Sequence, residues 1–232
     1  MRYSVINMKN PREIVLLRGR GCAWKQCAFC DYHKDFSPDE EANVLLNTGI
    51  LSLVDGRYGR LEVINSGSFS DLDPHTMNAL ENLCVSRNIH TLHVECHWLH
   101  REAITGLRTR FEAVGVKVKC KTGVETFDIH MREHILRKGF GNRPPKDIAL
   151  WFNECCLLFG LDGQTEASME YDIQTGLKYF ERVCINLMQA NSTNILPNAA
   201  VRDIFVQRLL PRHADNPRLD ILLENTDFGV GV

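Results

Sequence analysis

Between residues 13 and 190 the chain alternates short apolar runs with capped, amphipathic segments, and no other feature restricts its fold as strongly. The runs at 13–18, 60–65, 91–95, 116–121, 154–159 and 182–188 read as strands. Ser37-Pro38-Asp39-Glu40 opens a helix to about residue 54, with Ser37 as cap, Pro38 at the first turn and acids behind it. Asp73-Pro74 opens the next, which runs through Met77, Leu80 and Cys84. Further helices are expected at 100–114 (closed by Gly115), 128–139, 145–152 and 165–180. The 154–159 run is almost wholly apolar, as a parallel strand covered on both faces must be. Strands joined by helical crossovers form a parallel α/β sheet with right-handed connections. The tail reads as a helix at 201–210 and a final strand or extended closure at 219–224.

The first loop of this alternation carries Cys22, Cys27 and Cys30, three cysteines within nine residues. Three thiolates on one short loop repel one another unless a metal neutralises them. Such a set suits an iron–sulfur cube, with one iron left open to a small molecule. A structural zinc site, with His33 as fourth ligand, is the competing reading of the same residues. Cys84, Cys96, Cys120, Cys155, Cys156 and Cys184 are scattered through apolar stretches and read as buried free thiols of a reducing compartment. Cys155 and Cys156 are neighbours on a strand and so face opposite ways.

The loop follows the apolar run Ile14–Leu17, and Phe29 stands directly before the last cysteine. In this it resembles the cluster loop of the radical S-adenosylmethionine (SAM) superfamily. That superfamily usually has three residues between its first two cysteines, whereas this chain has four, Ala23 to Gln26, and keeps two before the third. The resemblance implies a partial (βα)6 TIM-like barrel, which six repeats fit; a complete eightfold barrel takes about 250 residues. It implies a 4Fe-4S cluster on Cys22, Cys27 and Cys30, SAM on the open iron, and an electron donor such as flavodoxin or ferredoxin. It also implies one domain over 1–232, with a core at about 13–190 and an extension at 191–232.

The chain has 232 residues, 44% hydrophobic and 24% charged, with a net charge of −2, the composition of an ordinary globular protein. No clustered basic field points to nucleic-acid binding, and no apolar run approaches the ~18–20 residues of a membrane span. The N-terminus has no long apolar core, so a cytoplasmic location is expected.

In barrels of this kind the site lies at the carboxyl ends of the strands. There the superfamily resemblance points to Asn65, Ser66, Gly67 and Ser68 as the edge that meets the SAM amino group, and to Gly160 as the backbone approach to adenine. Asn186 offers an amide contact and Phe29 a ring to pack on adenine. Read by themselves, 65–68 make an ordinary turn. Glu95 and Glu125 are the candidate substrate ligands, with Asp71 and Asp162 behind them; Glu154, at an amino end, reads as structural. Lys117, Lys119 and Lys121 share a strand face that is either solvated or turned to the SAM carboxylate. His93, His97 and His100 read as packing or surface groups. As a whole the chain resembles the queuine lyases of queuosine salvage, small members of that superfamily. This implies a deazapurine base as small-molecule substrate and C–N bond cleavage as the reaction. A radical SAM enzyme for another small molecule, or a zinc-stabilised binding module, are the alternatives.

Overall fold

A computed structural model describes residues 1–231. The chain divides into two compact units. The first comprises residues 1–25, 32–120 and the segment from Phe228 on; the second comprises 26–31 and 121–227.

In the first unit β1 (Tyr3–Ile6) pairs antiparallel with β2 (Arg12–Leu17). This opening strand is absent from the sequence expectation, because it is short and only half-buried along its length. β2 is buried at every position and pairs parallel with β3 (Arg60–Asn65), which pairs parallel with β4 (Thr91–Glu95). Ile14, Leu16 and Val230 form a buried cluster, flanked by Ile6, Ile64 and Phe228. Helix α1 (Glu40–Leu51) starts two residues later than expected. Asp39 is its cap, accepting the Ala42 N–H at 3.1 Å, while the Ser37 hydroxyl accepts the Asp39 N–H. Asp73 caps α2 (Pro74–Ser86) as expected, taking the Thr76 N–H at 2.7 Å. A single 3₁₀ turn, Trp98–His100, separates β4 from α3 (Ala103–Glu112), and Gly115 follows in the left-handed conformation that ends a helix.

Strand β5 (Lys117–Glu125) is longer than its expected 116–121, and its pairing with β6 (Glu154–Phe159) shifts register between Gly123 and Glu125. Thr122-Gly123 has the composition of a turn, which hid the last four residues. Lys117 is exposed and Lys121 buried, and Lys121 aligns with Glu154 at the start of β6, away from the strand's carboxyl end.

In the second unit β6, β7 (Arg182–Leu187) and β8 (Leu219–Leu222) run parallel in sequential order. The expected helix at 128–139 is a π-helical turn, Met131–Ile135, and α4 (Pro145–Ala149) is short. α5 (Glu166–Tyr179) is capped by Thr165 and Ser168, each accepting the other's backbone N–H. The tail forms α6 (Ala199–Ile204), a second π turn and α7 (Leu210–His213), followed by β8 as a full sheet member. Met131, Leu136, Leu158, Leu161 and Met188 cluster, with Phe29 and Ile195 packed against them. No helix among the described residues is long and apolar enough to cross a membrane.

Candidate active site at the carboxyl ends of the strands

All nine cysteines are free. Five are buried, and burial pushes the Cys84 thiol up to about 12 and raises those of Cys96 and Cys155 as well. Thiols in that state are poor ligands. Cys22, Cys27 and Cys30 are half-buried instead, which leaves them open to a cluster.

In the first unit Cys22 lies against the turn that follows β3. A Cβ on Gly67 would stand 3.1 Å from the Cys22 Cα and collide with the Asp71 carboxylate, so this position takes only glycine. Gly19 is confined in the same way, since a Cβ there would come within 2.6 Å of the Asp71 carbonyl oxygen. Asp71 is the brace of this corner. Its carbonyl accepts the Arg20 N–H at 3.0 Å, and its carboxylate accepts the N–H groups of Ser68, at 2.7 Å, and of Ala23. Burial raises its pKa, against the pull of those N–H groups and of His100.

Asn65, the last residue of β3, donates from Nδ2 to the Ser68 carbonyl at 2.9 Å. Its Oδ1 is buried and has no partner. Buried acceptors without partners are uncommon, and one here fits a ligand N–H such as the SAM ammonium. The Ser66 hydroxyl donates to Asp35, which also pairs with Arg2 at 2.5 Å. The Ser68 hydroxyl accepts the His97 N–H at 2.9 Å. Glu95 is half-buried at the end of β4.

The second unit holds the other two cysteines. The Cys30 N–H meets the Cys27 carbonyl at 3.3 Å, a tight turn. The Ala28 N–H donates to Leu136, Asn191 Nδ2 donates to the Phe29 carbonyl at 2.7 Å, and Asp31 accepts both the N–H and the hydroxyl of Ser192. Phe29 packs on Met131, Leu136, Leu158, Leu161 and Met188, with the Lys138 ammonium 5.4 Å from its ring centroid.

Lys138 is buried and donates to Glu125 Oε1 at 3.0 Å. Burial is the strongest influence on this ammonium and opposes its charge. Glu125, Cys27 and Cys30 outweigh it and hold the pKa above that of an ordinary lysine. Glu125 itself adopts a φ of 69°, and Gly123 has no room for a side chain beside its carboxylate.

Gly160 follows β6 with a φ of 86°, and its carbonyl accepts the Asn198 N–H at 2.7 Å. Asn198 Nδ2 donates to Asp162 at 3.1 Å, so this exposed carboxylate sits on the cap of α6. Asn186 is half-buried near the end of β7.

Asn65, Ser66, Gly67, Ser68, Asp71 and Cys22 thus gather in one corner of the first unit, and Cys27, Phe29, Cys30 and Glu125 in one corner of the second. Lys138, Asp31 and Asp35 escaped the sequence reading. Lys138 has a weak signal, a lysine just ahead of Gly139; the two aspartates have none beyond their nearness to the cysteines. Among the described residues no three His, Cys, Asp or Glu side chains converge as a ready metal-binding group, and His33 completes none. The three loop thiols therefore fit a cluster by their chemistry and accessibility, not as a preassembled cage.

No protein-family model matches the chain, and no curated protein does. Solved structures do. A queuine lyase from Clostridium spiroforme, bound to SAM and queuine, is 37% identical, with 100% of this chain and 99% of that chain covered and a TM-score of 0.95. SuiB of Streptococcus suis bound to S-adenosylmethionine matches at 13% identity and a TM-score of 0.57, covering 93% of this chain and 51% of that one. A second SuiB structure matches at 12% identity and 0.54, covering 92% and 50%. The SuiB matches show the fold alone. The α/β fold is of the radical SAM type that the resemblance implies, with eight strands where six were expected. At that identity over its full length, the chain belongs to the queuine lyase family of radical SAM enzymes.

Proposed function

We propose that this protein is a radical SAM lyase of queuosine salvage that cleaves queuine to 7-aminomethyl-7-deazaguanine. The observation that carries the reading is the full-length likeness, at a TM-score of 0.95, to a queuine lyase bound to SAM and queuine. A 4Fe-4S cluster and SAM, held by the residues below, would supply the radical chemistry for hydrogen abstraction and C–N cleavage.

The protein's part is to bind, orient and exclude water. Cys22, Cys27 and Cys30 hold the cluster; what supports this is their placement on one loop, free and half-buried. Asn65 Oδ1 and the hydroxyls of Ser66 and Ser68 accept from the SAM ammonium, and Gly67 lets the backbone come close. Phe29, Gly160 and Asn186 receive the adenosine. Glu95 and Glu125 accept from the guanine-like edge and the secondary ammonium of queuine, two donors that carboxylates match. Asp71 acts through the loop it braces and Asp162 through the Asn198 cap.

Residues 1–232 act as one catalytic domain, with a core at 13–190 and an extension at 191–232. The enzyme works in the cytoplasm, takes electrons from a flavodoxin or ferredoxin, and does not bind nucleic acid directly, in keeping with its net charge of −2. Anaerobic purification with iron and sulfide analysis tests the reading. A brown protein with about four irons that makes 5′-deoxyadenosine from SAM under dithionite is expected. A colourless protein with one zinc would overturn the reading in favour of a zinc-stabilised binding module.

A further inference from the structure

The spacer between Cys22 and Cys27 has one residue more than is usual in its superfamily, and the structure shows how the longer spacer folds. Lys25 turns the chain in the left-handed conformation, with a φ of 50°. An L side chain other than Asn or Asp seldom takes that region, so something nearby must hold it. Its ammonium lies 5.3 Å from the centroid of the Phe36 ring. The turn at Lys25 leaves Trp24 half-buried and stacked on His97, with ring centroids 5.2 Å apart and planes 19° from parallel. His97 is a rigid platform. Its backbone N–H donates to Ser68 Oγ at 2.9 Å, and its Nδ1 accepts the Leu99 N–H at 3.2 Å.

We propose that the left-handed turn at Lys25 in the longer spacer makes Trp24 a clamp: stacked on His97, it fixes the Cys22 end of the loop to the segment after β4 and, through Ser68, to residues 65–68. Trp24 and His97 are positioning residues, since neither needs to touch the ligands. The stack adds a side-chain contact to the backbone attachments made by Asp71. Asp71 holds only the backbone at Arg20 and Ala23, and Gly67 allows a close approach without gripping it. The purpose of the clamp rests on the reading of Cys22 as a cluster ligand, but its existence does not.

The test uses the full-length chain, reduced and free of metal. Iodoacetamide alkylation is followed residue by residue by mass spectrometry, with the half-buried Cys156 as internal reference. Trp24→Ala and His97→Leu are each expected to speed alkylation of Cys22 about fivefold, with Cys27, Cys30 and Cys156 unchanged within about twofold. Trp24→Phe, which can still stack, is expected to restore the wild-type rate. The double variant is expected to be no faster than either single, as for two residues acting through one contact. An unchanged Cys22 rate in both single variants would overturn the proposal, and so would a general rise at all four thiols. Should Trp24→Ala fail to fold, His97→Leu decides the same question. A wild-type protein that takes up no cluster would sink the enzymatic reading, yet leave the alkylation result standing.

Discussion

The two ends of the strands use charge in opposite ways. At the amino ends buried charges pair with one another. Arg12 and Glu62 are both essentially inaccessible and pair with each other, and Glu13 gathers the N–H groups of Asp55, Gly56 and Arg57 at 2.8–3.1 Å. In the second unit Arg182 bridges Glu154 at 2.7 Å and Asp220 at 2.8 Å, so Glu154 is structural, as its strand position implied. At the carboxyl ends stand three half-buried thiols, an Asn65 oxygen with no partner, and glycines against which neighbouring groups pack closely. Ion pairs between buried side chains mark the amino ends, and accessible thiols mark the carboxyl ends.

Substitutions at the two ends should therefore separate stability from activity. Glu95→Gln, at a carboxyl end, is expected to lower kcat/KM for queuine about 100-fold, or ~2.7 kcal/mol of transition-state binding, with the urea midpoint hardly moved. Normal turnover of queuine by this variant would remove Glu95 from the site. Arg182→Ala, at an amino end, should do the reverse. It strands two buried carboxylates and should destabilise the fold by about 3–5 kcal/mol in urea titrations, while the folded fraction still cleaves SAM. Loss of SAM cleavage without loss of stability would erase the distinction between the ends.

A carboxyl-end acid with a structural task gives an effect that depends on pH. Asp172, on α5, accepts the Phe127 N–H at 2.8 Å just beyond β5 and is 2% exposed. Burial pushes its pKa up to about 6, against the hydrogen bonds from Phe127 and Thr126. A folded-state value above the unfolded one means that the proton favours the native state. That stabilisation is complete below pH ~4 and is lost as pH rises through about 6. Wild type should thus lose up to about 3 kcal/mol relative to Asp172→Asn between pH 4 and pH 7 in denaturant titrations. Parallel curves for the two proteins would show that Asp172 ionises normally in the fold.

Much of this contrast was legible in the residues. β4 and β6 fall at their expected limits because turn-forming or polar residues bound each apolar run. Asp73-Pro74 and Gly115 mark helix ends by local chemistry that any context would keep. The cysteine loop and the 65–68 turn were likewise visible, since both are contiguous in sequence. β1 was not, because four half-buried residues pair only through their partner strand. Lys138 and His97 were hidden for a related reason. Each acquires its role from a residue far along the chain, Lys138 from Glu125 and Phe29, His97 from Trp24 and Ser68. The histidines around β4 read as ordinary packing groups until the stack on Trp24 is seen.

The central claim is that the carboxyl ends direct a radical at queuine. The most direct measurement incubates anaerobically reconstituted protein with SAM, dithionite and queuine and follows 5′-deoxyadenosine and 7-aminomethyl-7-deazaguanine together. The account predicts both products, rising in step and only when queuine and SAM are both present. Deoxyadenosine without the deazaguanine would contradict it and send the same chemistry to another small molecule.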